Sequence, residues 1–380
     1  MINKKYDIYL DNAATTKPYP EVVALNDEIN KKYFANPSST HHLGLESSDL
    51  LNKAREAILK TLKLNKHKVV FTSSSTEALN LAIKGYAFKY QNRGKHLITS
   101  NIEHPAVLEC IYQLRDYFGF KLTILEVDEN GVISKEKVEN AIKDDTILVS
   151  IMAVNNEIGS INPIKEIAEV VHKHPKCNFL VDTTQGIGKE NFDYNNIDMF
   201  VISSHKIHGL KGSGALIYKS TLSFLPLISG GGQEDNLRSG TSSINNALTL
   251  AKALNLSISS LNNSHAHVKE LYNHLYNELS KLDNIHLNSP KEGSSYILNF
   301  SLTNKKAAVI VEGLSELGIY ISSVSACHSK YEKSSYVVKA ITNNDVYASN
   351  TLRVSFSSEN TIEEIDIFIK ELKALMENLK

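Results

Sequence analysis

The chain has 380 residues, enough for two hydrophobic cores, because a single core stops growing at roughly 250–300 residues. Its 41 basic and 42 acidic side chains nearly cancel, which excludes the basic footprint that duplex nucleic acid or an anionic membrane selects and leaves a small molecule or a protein as the expected partner. No stretch approaches the ~20 apolar residues that cross a bilayer, and the N-terminus carries no long apolar signal segment, so a soluble, cytoplasmic protein is expected.

Cys110, Cys177 and Cys327 lie too far apart for a disulfide framework, and no CxxC occurs. Any functional cysteine therefore acts as a thiol.

From about residue 65 to 220, short β-rich runs (KVVFT, HLITS, KLTILEV, TILVSIMAV, NFLVD, IDMFVIS and GALIY) alternate with helical patterns. Thr76 to Tyr90 places Leu79, Ala82, Ile83, Tyr86 and Tyr90 on one helical face, and Pro163 to His172 groups Ile164, Ile167, Ala168 and Val171. This alternation predicts an α/β fold with a mostly parallel central sheet covered on both faces. Ligands of such sheets sit beyond the carboxyl ends of the strands. After Gly240 the pattern changes to long amphipathic helices, the strands YILNFSL and TLRVSF, and a final helix opened by a capping box, Thr361 with Glu364. We expect a large domain over residues 15–255 and a smaller α+β domain built from residues 1–14 and 256–380. No repeat or low-complexity tract is present.

The chemistry-bearing residues cluster at strand ends. SSHKIHGLKGSG (203–214) follows an apolar run, so Lys206 must be desolvated, paired with an anion or covalently bound. VDTTQ ends the run before it and brings Asp182 to the same sheet edge; alone, such a carboxylate is a turn residue or a helix cap. Upstream, SSSTEALN opens a helix just after VVFT, so the hydroxyls of Ser75 and Thr76 and the helix N-terminal amides suit a phosphate. His104, after HLITS, offers a flat ring for stacking. Together these residues suit a phosphorylated aromatic aldehyde, and Lys206 reads as the Schiff-base lysine of pyridoxal 5'-phosphate, with Asp182 as the anionic partner of the ring nitrogen.

YLDNAATT, NPSSTHHLG, STEALNLAIKG, EHPAV, VNNEIG, VDTTQ, SSHKIHGLKGSG and GGGQEDNLRSGT occur in that order. On these motifs the sequence resembles the cysteine desulfurases of the NifS/IscS type, a branch of the class V aminotransferase family, from about Ile8 to Phe356. The resemblance implies the pyridoxal-phosphate-dependent transferase fold of type I and an enzyme that converts L-cysteine to L-alanine. It implies Lys206 as the cofactor lysine, Asp182 on the ring nitrogen, Gln185 on the ring hydroxyl oxygen and His104 stacked on the ring. Thr76, Ser203 and His205 would hold the phosphate, with Thr241 reaching in from the second subunit of a homodimer. Asn155 and Arg353 match the contacts to the substrate carboxylate.

Cys110 lies on an apolar helical face and reads as a packed thiol, and Cys177 has no polar constellation around it. Cys327, in the polar, small-residue text SSVSACHSKYEKSS, matches the cysteine that forms the persulfide and passes sulfur to an acceptor, such as an iron-sulfur scaffold or a tRNA-thiolating enzyme. Val324, Asp235, Ser74 and Lys339 depart from the family's usual glycine, arginine, glycine and arginine, and bear on loop mobility and partner docking. A related lyase acting on selenocysteine, or a catalytically degenerate paralogue acting as a scaffold, are the competing readings. The pairs His41-His42, His172-x-His174 and His265-x-His267 lack zinc-ligand spacing and read as solvated surface histidines, apart from His42 at the active-site mouth, so no metal is expected. Gly230 to Gly232 reads as a tight turn near the cofactor.

Overall fold

A computed structural model describes residues 4–323 and 334–378. Its strands, in chain order, are β1 (Ile8–Tyr9), β2 (His67–Thr72), β3 (His96–Ser100), β4 (Lys121–Leu125), β5 (Thr146–Ser150), β6 (Asn178–Asp182), β7 (Met199–Ser203), β8 (Gly214–Lys219), β9 (Ile285–Leu287), β10 (Ile297–Leu302), β11 (Ile319–Tyr320), β12 (Ser322–Ser323) and β13 (Thr351–Ser355). The central sheet has seven strands in the order β2-β8-β7-β6-β5-β3-β4. Pairing is parallel from β7 through β6, β5 and β3 to β4, while β8 runs antiparallel to both β7 and β2. This is the α/β, mostly parallel architecture expected from the sequence.

The apolar runs of β5 and β7 are buried throughout because helices cover both faces. Alternate residues serve the two sides. Val69, Phe179, Val181, Phe200 and Ile202 pack into one core with the helices His42–Thr61, Ile164–Val171 and Ile244–Ser259. Val70, Leu180, Met199 and Val201 pack into another with the helix Pro105–Phe118. The predicted helix from Thr76 begins at Ser75 and is interrupted by a π-helical turn over Leu81–Gly85 before continuing to Tyr90. Its five predicted face residues are all buried.

A third core joins Ile8, Leu10 and Ala13 to residues between Val268 and Leu372. It surrounds a four-stranded antiparallel sheet, β12-β13-β10-β9, beside the parallel pair β1-β11. The last helix, Ile362–Asn378, opens with the predicted reciprocal cap: Glu364 N donates to Thr361 Oγ1 and Thr361 N donates to a Glu364 carboxylate oxygen. Among the described residues, no helix is long and apolar enough to cross a membrane.

β2 is antiparallel to β8, which is antiparallel to β7, so the C-terminal ends of β2, β3, β5, β6 and β7 share one edge of the sheet. At that edge Gly214 pairs with Ser203 on one side and Thr72 on the other. A Cβ on Gly214 would lie 2.6 Å from the Ser74 carbonyl carbon and 2.9 Å from Ile202 O, so glycine is required for the turn after β2 to close over the sheet.

Candidate active site

The turns after these five strands surround a cavity of about 840 Å³, closed on the far side by Ala13, Ala14, Tyr336 and Arg353. Lys206 occupies a single 3₁₀ turn, Ser204–Lys206, directly after β7. Its Nζ donates to Ala13 O at 2.6 Å and to Ala14 O at 2.7 Å. The amine is thus held against the N-terminal segment YLDNAATT, which is anchored to the smaller core: Ala13 N donates to Ser355 Oγ and Asn12 Nδ2 to Ser355 O.

Asp182, the last residue of β6, is 6% exposed and accepts a hydrogen bond from Thr184 N at 2.9 Å. Gln185 follows at the next turn. Its Nε2 donates to Ala13 O at 2.9 Å and its Oε1 accepts from Lys189 Nζ at 2.8 Å. Ser203 and His205 line the cavity beside Lys206. His205 Nδ1 meets Thr15 Oγ1 at 3.1 Å; burial, reinforced by Lys206, Lys211 and Lys189, pushes its pKa down to about 4, so the ring is neutral at physiological pH.

At the end of β2, Ser74 caps the following helix by accepting from Glu77 N, while Glu77 returns to Ser73 N and Oγ. Ser74 therefore has a structural role as the cap of this helix. Ser75 and Thr76, in the first turn, line the cavity. His104 caps the helix Pro105–Phe118 by accepting from Ala106 N through Nδ1 at 3.1 Å, which leaves Nε2 as the ring nitrogen that carries hydrogen. Arg353, on β13, is 4% exposed; Nη1 donates to Asn156 O at 2.9 Å and Nη2 to Asp11 at 3.0 Å, while Nε is buried without a partner. Arg353 is cross-strand partner of Ser322 in β12, the strand that ends four residues before Cys327.

The structure thus brings most of the sequence-derived candidates together: Lys206, Asp182, Gln185, His104, Ser75, Thr76, Ser203, His205 and Arg353 stand on the cavity wall, with the root of the Cys327 loop beside the last of them. Cys327 and Val324 lie outside the described residues. Asn155 is not on that wall. It is fully buried: Nδ2 donates to Ile102 O in the turn after β3, and Oδ1 accepts from Glu157 N and Ile158 N in the turn after β5. Its neighbour Asn156 lines the cavity instead. Thr241 and His42 are exposed and do not line the cavity.

The other paired histidines are not simply solvated. His41 caps a helix, His172 meets Asp198, His265 meets Glu190, and His267 meets Asn360 O. Gly230 and Gly232 do adopt positive φ, 158° and 83°. Asp235 pairs with Lys68 at 3.3 Å and Lys339 with Asp345 at 2.8 Å. Cys110 and Cys177 are buried, and burial pushes their thiols up to about 11 and about 12.

Sequence reasoning missed several groups at the site. Glu103 sits fully buried one residue before His104, with Oε1 accepting from Ser100 Oγ and Met152 N. Glu157 and Tyr336 fasten the far end of the Cys327 loop. Ser335 Oγ donates to Glu157 Oε2 and caps the helix Tyr336–Thr342, and Tyr336 OH donates to Glu103 O. The EH dipeptide, a carboxylate one residue before a strand-end histidine, is the signal that could have found Glu103.

The donor set fits pyridoxal phosphate: an amine at the end of a buried strand, a buried carboxylate on the neighbouring strand, hydroxyls at a helix start, and the neutral imidazole of His205 beside the amine. The fold and this site define a type I pyridoxal-phosphate transferase architecture. The model of the class-V aminotransferases matches residues 8–368, and the chain belongs to that family. A NifS/IcsS protein homolog of Lactobacillus delbrueckii subsp. bulgaricus is 38% identical over 95% of both chains. A protein named cysteine desulfurase IscS, from Dictyoglomus turgidum, is 36% identical over 99% of this chain and 96% of its own. The solved structure of a NifS-like protein superposes with a TM-score of 0.91 at 33% identity, covering 98% of this chain and all of the other.

Proposed function

We propose that the protein is a cysteine desulfurase that converts L-cysteine to L-alanine and carries the sulfur as a persulfide on Cys327. The observation that carries this reading is the convergence of Lys206, Asp182, Gln185 and Arg353 on one cavity whose wall runs to the root of the Cys327 loop. Lys206, Asp182 and Gln185 would hold pyridoxal phosphate by its aldehyde carbon, ring nitrogen and ring oxygen, and Ser75, Thr76, Ser203 and His205 would hold its phosphate. Held there, the group would supply an electron sink for the substrate α-carbon, the chemistry that weakens the β-carbon–sulfur bond.

The remaining work falls to the protein. The Arg353 fork, with its buried Nε unpartnered, orients the substrate carboxylate. Lys206, presented to the cavity by the 3₁₀ turn after β7, would accept the α-proton as an amine. His104, presenting Nε2, shuttles the thiol proton. Cys327 thiolate then attacks the substrate sulfur. The carbon–sulfur bond breaks, a sulfur–sulfur bond forms, and alanine leaves with a proton on its β-carbon. Position 327 is four residues beyond Ser323, the end of the strand that pairs with Arg353.

The active unit is proposed to be a cytoplasmic homodimer in which Thr241 meets the other subunit's cofactor phosphate. The sulfur passes to a protein acceptor, an iron-sulfur scaffold or a tRNA-thiolating enzyme, without direct contact to nucleic acid or membrane. Incubation with L-cysteine, alanine assay and mass spectrometry of Cys327 test the reading. Stoichiometric alanine and a mass increase of one sulfur on the Cys327 peptide are expected. A Cys327→Ser variant that turns over L-cysteine at the wild-type rate would overturn the persulfide route.

A further inference from the structure

Lys189 is a buried cation that the chemistry above does not use. It is 7% exposed, and its Nζ donates to Gln185 Oε1 at 2.8 Å and lies 5.9 Å from the centroid of the Tyr296 ring. The charged groups facing it are Glu190 on its own turn, Lys206 after β7 and Arg353 on β13. Burial and the two cations hold its pKa down to about 7, against the pull of Glu190.

Its bond determines how Gln185 is presented. A lysine amine in this position offers protons, so the Gln185 C=O end turns towards it. The NH₂ end then faces Ala13 O, which also receives Lys206 Nζ. One amide proton is used on Ala13, and the second remains to be given to a ring oxygen. A carboxamide rotated by half a turn would set two oxygens against each other at Ala13 and two donors against each other at Lys189.

We propose that Lys189 is a positioning residue for the cofactor: by fixing the Gln185 carboxamide, it aims an N–H at the ring oxygen and thereby sets the basicity of the nitrogen that links Lys206 to the cofactor. The inference rests on the proposed binding of pyridoxal phosphate at Lys206. An N–H donated to the ring oxygen stabilises its anion, and that oxygen shares a proton with the linkage nitrogen. Losing the donor therefore raises the pH at which the linkage deprotonates. The donor acts on both protonation states, so its loss moves the midpoint by the difference between them, about one pH unit.

The test is a pH titration of the visible absorbance of protein loaded with pyridoxal 5'-phosphate. It compares wild type, Lys189→Met and Lys189→Gln, with Lys189→Leu in place of the methionine variant if that fails to accumulate. The apolar variant should titrate about one pH unit above wild type. The glutamine variant, which restores a neutral donor to Gln185 Oε1, should return most of the way. In a Gln185→Leu background, Lys189→Met should have little further effect. An unmoved midpoint in the apolar variant overturns the inference, as does a glutamine variant displaced as far as the apolar one, since charge rather than positioning would then be acting. A wild-type protein that develops no visible band refutes the reading of the site itself.

Discussion

Replacing Glu103 with glutamine should change how stability depends on pH. Glu103 is fully buried, and its Oε2 has no hydrogen-bond partner. Burial, assisted by the charge of Asp182 and opposed by the bonds from Ser100 and Met152, pushes its pKa from 4.5 up to about 8. The folded chain therefore keeps a proton that the unfolded chain releases. The stabilisation is fully present below pH 4.5 and is lost as pH rises through about 8. A tenfold change in proton affinity corresponds to about 1.4 kcal/mol, so the window spans on the order of 5 kcal/mol, with a slope approaching 1.4 kcal/mol per pH unit. Glutamine has no proton to lose and fills nearly the same space.

Urea unfolding of the cofactor-free protein, followed by circular dichroism between about pH 5 and 8, measures both proteins. The stability of wild type relative to Glu103→Gln should decline steadily across that range. A difference that stays level would show that Glu103 ionises in the folded state and would refute the argument from burial.

Arg353→Lys keeps the charge but loses the planar fork; KM for L-cysteine should rise about tenfold or more, by ~1.5–3 kcal/mol, with a smaller fall in kcat, in steady-state alanine assays. Asn155→Ala, by contrast, should cost about 2–4 kcal/mol of stability by leaving the turn after β5 unsatisfied, with KM for L-cysteine unchanged in the folded fraction. A KM effect there would return Asn155 to the substrate contacts. Iodoacetamide on the native protein should label the Cys327 peptide alone; Cys110 and Cys177, buried and with raised thiol pKa values, should react only after unfolding, as read by peptide mass spectrometry.

Much of the large sheet was legible because strands buried on both faces are written as continuous apolar runs, as in TILVS and MFVIS. The direction of β8 was not, since an apolar run looks the same in either orientation. Nor was the π-turn at Leu81–Gly85, which inserts into a helix without disturbing the face made by Leu79, Ala82, Ile83, Tyr86 and Tyr90. The capping box at Thr361 was readable because its chemistry is local.

At the site, side chains at strand ends announced themselves through the runs preceding them. The burial of Asn155 was not legible, because motif register does not reveal that an amide is bonded to backbone groups of the turns after β3 and β5. Lys189 and Glu103 escaped because a buried charge reads in sequence like a solvated one, and only the packing around it reveals the cost of desolvation. The carbonyls of Ala13 and Ala14 were invisible for a different reason: they contribute backbone atoms delivered from the smaller core by the Asn12 and Ala13 bonds to Ser355.

Reduction with borohydride of protein incubated with pyridoxal 5'-phosphate, followed by peptide mass spectrometry, tests the central claim most directly. The account predicts a phosphopyridoxyl mass fixed to Lys206, with none on Lys189. Label on any other lysine, or no stable label, would contradict it.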